Sequence, residues 1–303
     1  MMIKQYESLT NDQAAAFLLG CIYLILSPGY LQPEKAFLAF HKIPPRDNSD
    51  ILDTLLNTSY LAFFGLHCLV AATNAHASRL TVITQLITTG FYLYANYAIT
   101  PQLGVIPNDI LTILRRVWGA GLAICLATLF LDWKKAMFLD WKKTSCAKLW
   151  KDYLSTTVTF APAQIGVFLC GCIWLLFLPG YFQPELMFQD FHGIEPRNNI
   201  DVLSTMTLCT YCGFFGLRCI VAATDSKAAR LEILSGLVMT LFYLRFHYVI
   251  SPSLGVFLPD TLLMIHKLWG FYLILLLSIV CLDMMFLKIN LAEYLRTIML
   301  SKI

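Results

Sequence analysis

The chain alternates long apolar runs with short polar breaks. Eight runs stand out, at about 13–31, 51–73, 79–99 and 110–131, and again at about 164–182, 201–223, 230–250 and 261–286. Each is close to the roughly 20 residues a helix needs to cross a bilayer. Inside lipid such a run must be helical, because only a helix satisfies its backbone within one segment. The breaks carry turn formers, with Pro101 and Pro107 before the fourth run and Pro252 and Pro259 before the eighth. Asp50 and Asp201 each stand just ahead of a long apolar run and suit the N-terminus of a helix. The pattern predicts an all-α polytopic membrane protein of about eight transmembrane helices.

Shifting the chain by 151 positions lays it on itself without a gap. Pro28-Gly29-Tyr30 meets Pro179-Gly180-Tyr181, and Gln32-Pro33-Glu34 meets Gln183-Pro184-Glu185. Phe63-Phe64-Gly65-Leu66 meets Phe214-Phe215-Gly216-Leu217, and Trp118-Gly119 meets Trp269-Gly270. About 50 of roughly 115 aligned positions are identical, which shared hydrophobicity does not produce and which reads as a duplication. The predicted organisation is a first four-span repeat at 1–132, a connector at 133–160 and a second four-span repeat at 161–303. Four spans per copy return the chain to its starting side, so the copies are expected to be parallel and related by an axis along the membrane normal.

Composition agrees with this picture. Of 303 residues 58% are hydrophobic and 14% charged, against about 25% charged in a soluble domain, and the mean hydropathy is +0.65. The net charge of +3 gives no sign of a nucleic-acid partner. The charges are instead placed by side. Lys134, Lys135, Lys142, Lys143, Lys148 and Lys151 lie in the connector, and Lys4, Lys288, Arg296 and Lys302 fall on the same side. The positive-inside rule then puts the connector and both termini in the cytosol, in the endoplasmic reticulum or another endomembrane. Asp-Trp-Lys-Lys occurs twice in the connector, with Trp133, Phe138, Trp141 and Trp150, as in a helix lying in the interface. Residues 1–13 are charged and run into the first span, unlike a signal peptide. Most of the ten cysteines lie in apolar runs, where a thiol packs as a small hydrophobe. Cys209-x-x-Cys212 has redox spacing but no second pair, and reads as packing.

Candidate chemistry collects at the end opposite the connector. Glu34 and Glu185, His41 and His192, Arg46 and Arg197, Asp50 and Asp201, and Asp109 and Asp260 recur at matching places. Caps and local ion pairs such as Arg46 with Asp50 account for these groups as well as catalysis does. Positions that differ between the copies add further candidates: His67 against Arg218, Asn74 against Asp225, Tyr94 against Arg245, Asn96 against His247 and Arg115 against His266. An ionisable group at membrane depth is expensive and faces a bundle interior or a cavity, which singles out His67 and Arg218 at the seam between copies. Asp50, Thr54 and Asn57 share one face of the second span. With the aromatics Tyr60, Tyr211, Trp118 and Trp269, and with His247, they make a candidate substrate-binding lining. No spacing for a metal or a phosphate loop is found, and no cofactor is predicted.

Isolated acids, Glu34, Asp50, Glu185 and Asp201, in a bundle with 14% aromatic residues give the chain a character that resembles the small integral-membrane terpene cyclases of fungal natural-product pathways. That resemblance implies acid-initiated cyclisation of an isoprenoid or meroterpenoid, one of these acids giving the proton and aromatic faces sheltering the cation. Through Phe64-Gly65-Leu66 and Arg79 each half is also similar to the four-span DoxX-like membrane families, which imply little about activity. The expected partners are a lipophilic small molecule and membrane lipid. The competing expectation is a small-molecule transporter or a membrane scaffold without catalysis, since parallel repeats with a site between them are a transporter layout.

Overall fold

A computed structural model describes residues 10–140 and 161–300, apart from the side chains of 133–140 and 296–300. It contains α1 (Asn11–Ile25), α2 (Pro33–His41), α3 (Asn48–Ala71), α4 (Ala75–Ala98), α5 (Thr100–Leu103), α6 (Asn108–Asp140), α7 (Pro162–Leu175), α8 (Pro184–His192), α9 (Asn199–Ala222), α10 (Ser226–Arg245), α11 (Ser251–Leu254), α12 (Pro259–Leu287) and α13 (Leu291–Leu300). Among the described residues there is no strand.

Seven stretches among the described residues are long and apolar enough to cross a membrane: Asn11–Tyr30, Asn48–Ala71, Asn108–Asp132, Pro162–Tyr181, Asn199–Ala222, Ser226–Leu254 and Pro259–Leu287. The protein is therefore all-α and multi-pass. The expected span near 79–99 is helical, as the 24-residue α4, but it is too polar to stand with the seven. Its Thr81, Thr84, Gln85, Thr88 and Thr89 are all buried. The hydroxyls of Thr84, Thr88 and Thr89 donate to backbone carbonyls of α4 itself, so these polar side chains are satisfied within the helix. The connector's expected interfacial helix lies for the most part outside the described residues, beyond the end of α6.

Local signals explain the breaks. Thr10 and Gln13 form a reciprocal capping box at the start of α1. Asp47 and Asn198 cap α3 and α9, accepting from the backbone N–H two residues on. Asp50 and Asp201 are thus not the caps; they sit in the first turn and bind arginines instead. Pro101 and Pro252 stand in the first turn of the short helices α5 and α11, which Gly104 and Gly255 close in the left-handed conformation.

Helices α1 and α3 pack through a glycine pair. A Cβ on either Gly20 or Gly65 would come within 3.0 Å of the other's carbonyl oxygen, and the same holds at 2.8 Å for Gly171 of α7 and Gly216 of α9. Small residues allow this close approach of backbones in lipid, where dispersion rather than the hydrophobic effect holds helices together.

Helices α3 and α9 face each other along the middle of the bundle, and residues 151 positions apart meet across that seam. Tyr60 stacks on Tyr211 with centroids 5.4 Å apart, and Phe64 on Phe215 at 4.7 Å. Asn48 donates to the Leu254 carbonyl and Asn199 to the Leu103 carbonyl, each at 2.8 Å. Tyr92 stacks on Trp118 at 4.6 Å and Tyr243 on Trp269 at 4.8 Å.

Candidate functional site

At the α5 and α11 end of the seam lies an ion cluster. Arg46 donates to Asp50 from its backbone N–H, Nε and Nη2 at 2.7, 2.9 and 2.5 Å, and its Nη2 also reaches Asp201 at 2.9 Å. Arg197 grips Asp201 in the same way at 2.8, 2.9 and 2.9 Å, and bonds Asp47 across the seam. The aspartate side chains are 1% and 0% exposed and the arginines 25% and 29%. A carboxylate that accepts three charge-assisted hydrogen bonds from one arginine is fixed in place and structures the seam. Glu34 and Glu185 lie exposed in the first turns of α2 and α8. The four acids singled out by type are therefore two exposed groups and two members of one salt-bridge cluster.

Just below that cluster the seam opens into a cavity of about 100 Å³. Helix α3 contributes Asp53 and Tyr60, and α9 contributes Ser204, Cys209 and Cys212. Trp174 and Trp269 line it as well, and α8 contributes Phe188 and His192. Asp53 hydrogen-bonds Ser204, its counterpart 151 positions on. Among the described residues it is the only carboxyl on a lining that is otherwise aromatic, aliphatic, hydroxyl, thiol, thioether and imidazole.

Two histidines share this lining. His247 is 5% exposed and belongs to a single π turn, Phe246–Ile250, that follows α10. Such turns re-aim side chains and recur at functional sites. Its Nδ1 lies 3.1 Å from the Ser251 hydroxyl, and its carbonyl is 2.8 Å from His266 Nε2. His192 stacks on Phe257 at 5.5 Å and hydrogen-bonds the Val256 carbonyl, as His41 does the Val105 carbonyl at 3.2 Å. Burial pushes both of these imidazoles below their usual range, against the raising effect of those carbonyls.

At the other end of the seam His67 and Arg218 are brought together on Glu232. Arg218 donates to Glu232 from Nε at 3.0 and 3.1 Å and from Nη2 at 2.6 Å, and His67 Nδ1 stands 3.1 Å from Glu232 Oε2. All three are buried, and Arg218 also lies over the Phe215 ring at 4.4 Å. Glu232 has Thr81 as its counterpart, and Thr81 is 3.4 Å from His67 Nε2. The first half thus carries His67 with Thr81 where the second carries Arg218 with Glu232.

Of the predicted lining, Tyr60, His247 and Trp269 face the cavity. Tyr211 and Trp118 are buried behind it in the aromatic stack, and Asn57 is half-buried with its carbonyl oxygen unpartnered among the described residues. His67 and Arg218 lie apart from it. Cys209 and Cys212 are free thiols on the wall. Sequence reasoning missed Asp53, Ser204 and Glu232. The signal was there: Asp53 against Ser204 and Thr81 against Glu232 are divergent pairs of the same kind as His67 against Arg218. Among the described residues no His, Cys, Asp and Glu group has metal-site geometry. No protein-family model matches the chain, and neither does any curated protein or solved structure.

Proposed function

We propose that the chain is a membrane enzyme that acts by acid catalysis on the apolar end of a lipophilic, isoprenoid-type substrate, with Asp53 as the acid. The observation that carries this reading is Asp53 itself, a single carboxyl placed on an aromatic wall. Protonated Asp53 gives its proton to a terminal alkene or epoxide. The cation that forms is stabilised by the faces of Trp269, Tyr60 and Trp174. A neutral imidazole, His247 or His192, accepts the proton lost when the cation collapses to an alkene, so the reaction is a net isomerisation. Size agrees with this division of labour. An engineered apolar cavity of about 150 Å³ holds benzene, so about 100 Å³ holds a group of four or five carbons, one isoprene terminus. The rest of the chain leaves through the mouth under α8.

The reading includes the architecture around the site: α4 as the eighth span, two parallel copies of a four-helix unit, and the Lys-rich connector and both termini in the cytosol of an endomembrane. The test is conversion of prenylated substrates in microsomes that contain the chain. Asp53→Asn should abolish turnover while the protein still inserts and stays monodisperse. Full activity of that variant would sink the proposal.

A transporter is the second reading, favoured by the ion pair across one end of the seam, Arg46 to Asp201. Parallel repeats joined in this way suit a rocking motion. Substrate-dependent flux in reconstituted vesicles, with no cyclised product, would select it.

A further inference from the structure

A second, much smaller cavity lies at the end of the seam away from the Arg46 cluster, where His67 and Arg218 meet. Its volume is about 10 Å³, and both halves build it. His67 with Arg218, Ala71 with Ala222, and Leu80 with Leu231 are pairs 151 positions apart, and both members of each pair line it. Helices α3, α4, α9 and α10 thus all reach this one point, and the short alanine side chains leave room between them.

The wall is polar on two sides. Arg218 directs Nε and Nη2 to Glu232, which does not line the cavity, so the remaining nitrogen is Nη1. That Nη1 is buried, in a side chain 4% exposed, and has no hydrogen-bond partner among the described residues. A buried donor left without an acceptor is costly. Facing it from the first half are Thr81 and Thr84 of α4. The Thr84 hydroxyl donates to the Thr81 carbonyl at 2.9 Å, so its oxygen can still accept. The Thr81 hydroxyl lies 3.4 Å from His67 Nε2, longer than an ordinary hydrogen bond. One unpaired donor and two hydroxyl oxygens therefore share a space of roughly the 10–15 Å³ that a single water needs.

Charge decides between a neutral occupant and an ion. Arg218 and Glu232 already form a closed pair at 2.6 Å. An anion would add an uncompensated charge to a buried site, and a cation would stand against the guanidinium. The occupant must also accept from Nη1 and donate to a hydroxyl oxygen, which water does and a halide does not.

We propose that this cavity binds one water molecule, which accepts from Arg218 Nη1 and donates to the Thr81 or Thr84 hydroxyl. The water ties α9 of the second half to α4 of the first and joins the halves at this end of the seam. The site is independent of the reading of the Asp53 cavity.

The test is a crystal structure of the full chain, grown from a lipid mesophase with bromide in place of chloride, at a resolution that shows ordered water. One peak without anomalous signal should stand within hydrogen-bond distance of Arg218 Nη1 and of a Thr81 or Thr84 hydroxyl. The absence of a peak, or a bromide signal in its place, overturns the proposal. Thr81→Val with Thr84→Val keeps the outline of both side chains and removes both hydroxyls, so the peak should disappear. The melting temperature in detergent should then fall further than in Thr88→Val with Thr89→Val. Thr88 and Thr89 are equally buried and bond the backbone of α4 in the same way, but they do not line the cavity. Thr84→Ser, which keeps a hydroxyl, should retain the peak. A peak that survives loss of both hydroxyls overturns the proposal, as does a fall no larger than that of the Thr88 and Thr89 pair.

Discussion

Tyr60 of α3 stacks on Tyr211 of α9, 151 positions away, with ring planes at 21°. The contact lies at the middle of the seam, and the ring contacts on either side of it are paired too: Tyr60 packs on Tyr243 with centroids 5.2 Å apart, and Tyr211 on Tyr92 at 5.8 Å. A contact between equivalent residues forces both halves to the same height along the bundle. Tyr60→Phe keeps the stack and loses a hydroxyl, which costs about 1 kcal/mol. Tyr60→Ala removes a ring that is 4% exposed and should cost about 3–5 kcal/mol. Thermal unfolding in detergent should rank the native chain, Tyr60→Phe and Tyr60→Ala in that order. Equal losses for the two variants would mean that the hydroxyl, not the stack, carries the contact.

The Arg46 link makes a separate prediction. Its guanidinium bridges Asp50 of its own half to Asp201 of the other, and both carboxylates are buried. Removing one partner of a buried ion pair leaves an uncompensated charge and costs about 3–5 kcal/mol. Arg46→Met should therefore destabilise the chain by that order, and Arg46→Met with Asp50→Asn should recover part of the loss. Arg197 still holds Asp201 in both variants, so the chain is expected to insert. A double variant less stable than the single one by the full cost again would show that Asp50 has a role beyond pairing with Arg46.

Much of this fold is legible in the apolar runs, because a bilayer imposes a length and a composition on whatever crosses it. The sequence pattern places the helix starts at Asp50 and Asp201, three residues late, because the caps are Asp47 and Asn198 and the later aspartates bind arginines. Helix α4 was legible as a helix but not as one of the seven apolar stretches, since buried threonines lower its hydropathy. The site was harder to read. Recurring acids drew attention to Asp50 and Asp201, yet recurrence there reflects a salt-bridge cluster common to both halves. Asp53 meets Ser204 by the way α3 faces α9, and no single helix shows which of its faces meets the seam. Glu232 was hidden in the same way. Its partners Arg218 and His67 come from α9 and α3, so the triad exists only after packing.

The histidines of the short outer helices predict a response to pH. In the folded chain the pKa of His41 and His192 is lowered by burial, which favours the neutral ring, and His41 Nδ1–H donates to the Val105 carbonyl, which can only accept. Unfolded, an imidazole has a pKa of about 6.5. The unfolded chain therefore binds more protons below that value. The stability these groups contribute is fully present above about pH 6.5 and is lost as pH falls from there through the lower folded values. The melting temperature in detergent should decline between about pH 6.5 and pH 5. In the double variant His41→Gln, His192→Gln it should be lower at pH 7.5 and flatter across that window. An equally steep decline in the variant would assign the response to other groups.

The triad at the opposite end supports the most discriminating exchange. Glu232 neutralises Arg218 in a buried setting, while the first half solves the same position with His67 and Thr81, which need no charge. Glu232→Thr alone strands a guanidinium that is 4% exposed and should cost about 3–5 kcal/mol. Adding Arg218→His converts the second half to the pair the first half already packs, and the charge that was stranded is gone. The double variant should then recover most of the loss in thermal unfolding, because an ion pair replaced as a unit is often near neutral in stability. It also removes the 3.1 Å contact of His67 with Glu232 that joins the halves at this end, so its stability should stop short of the native value. If the double variant is as unstable as Glu232→Thr, the triad is not a replaceable ion pair. Its charges would then be required by the packing of α3, α9 and α10 themselves.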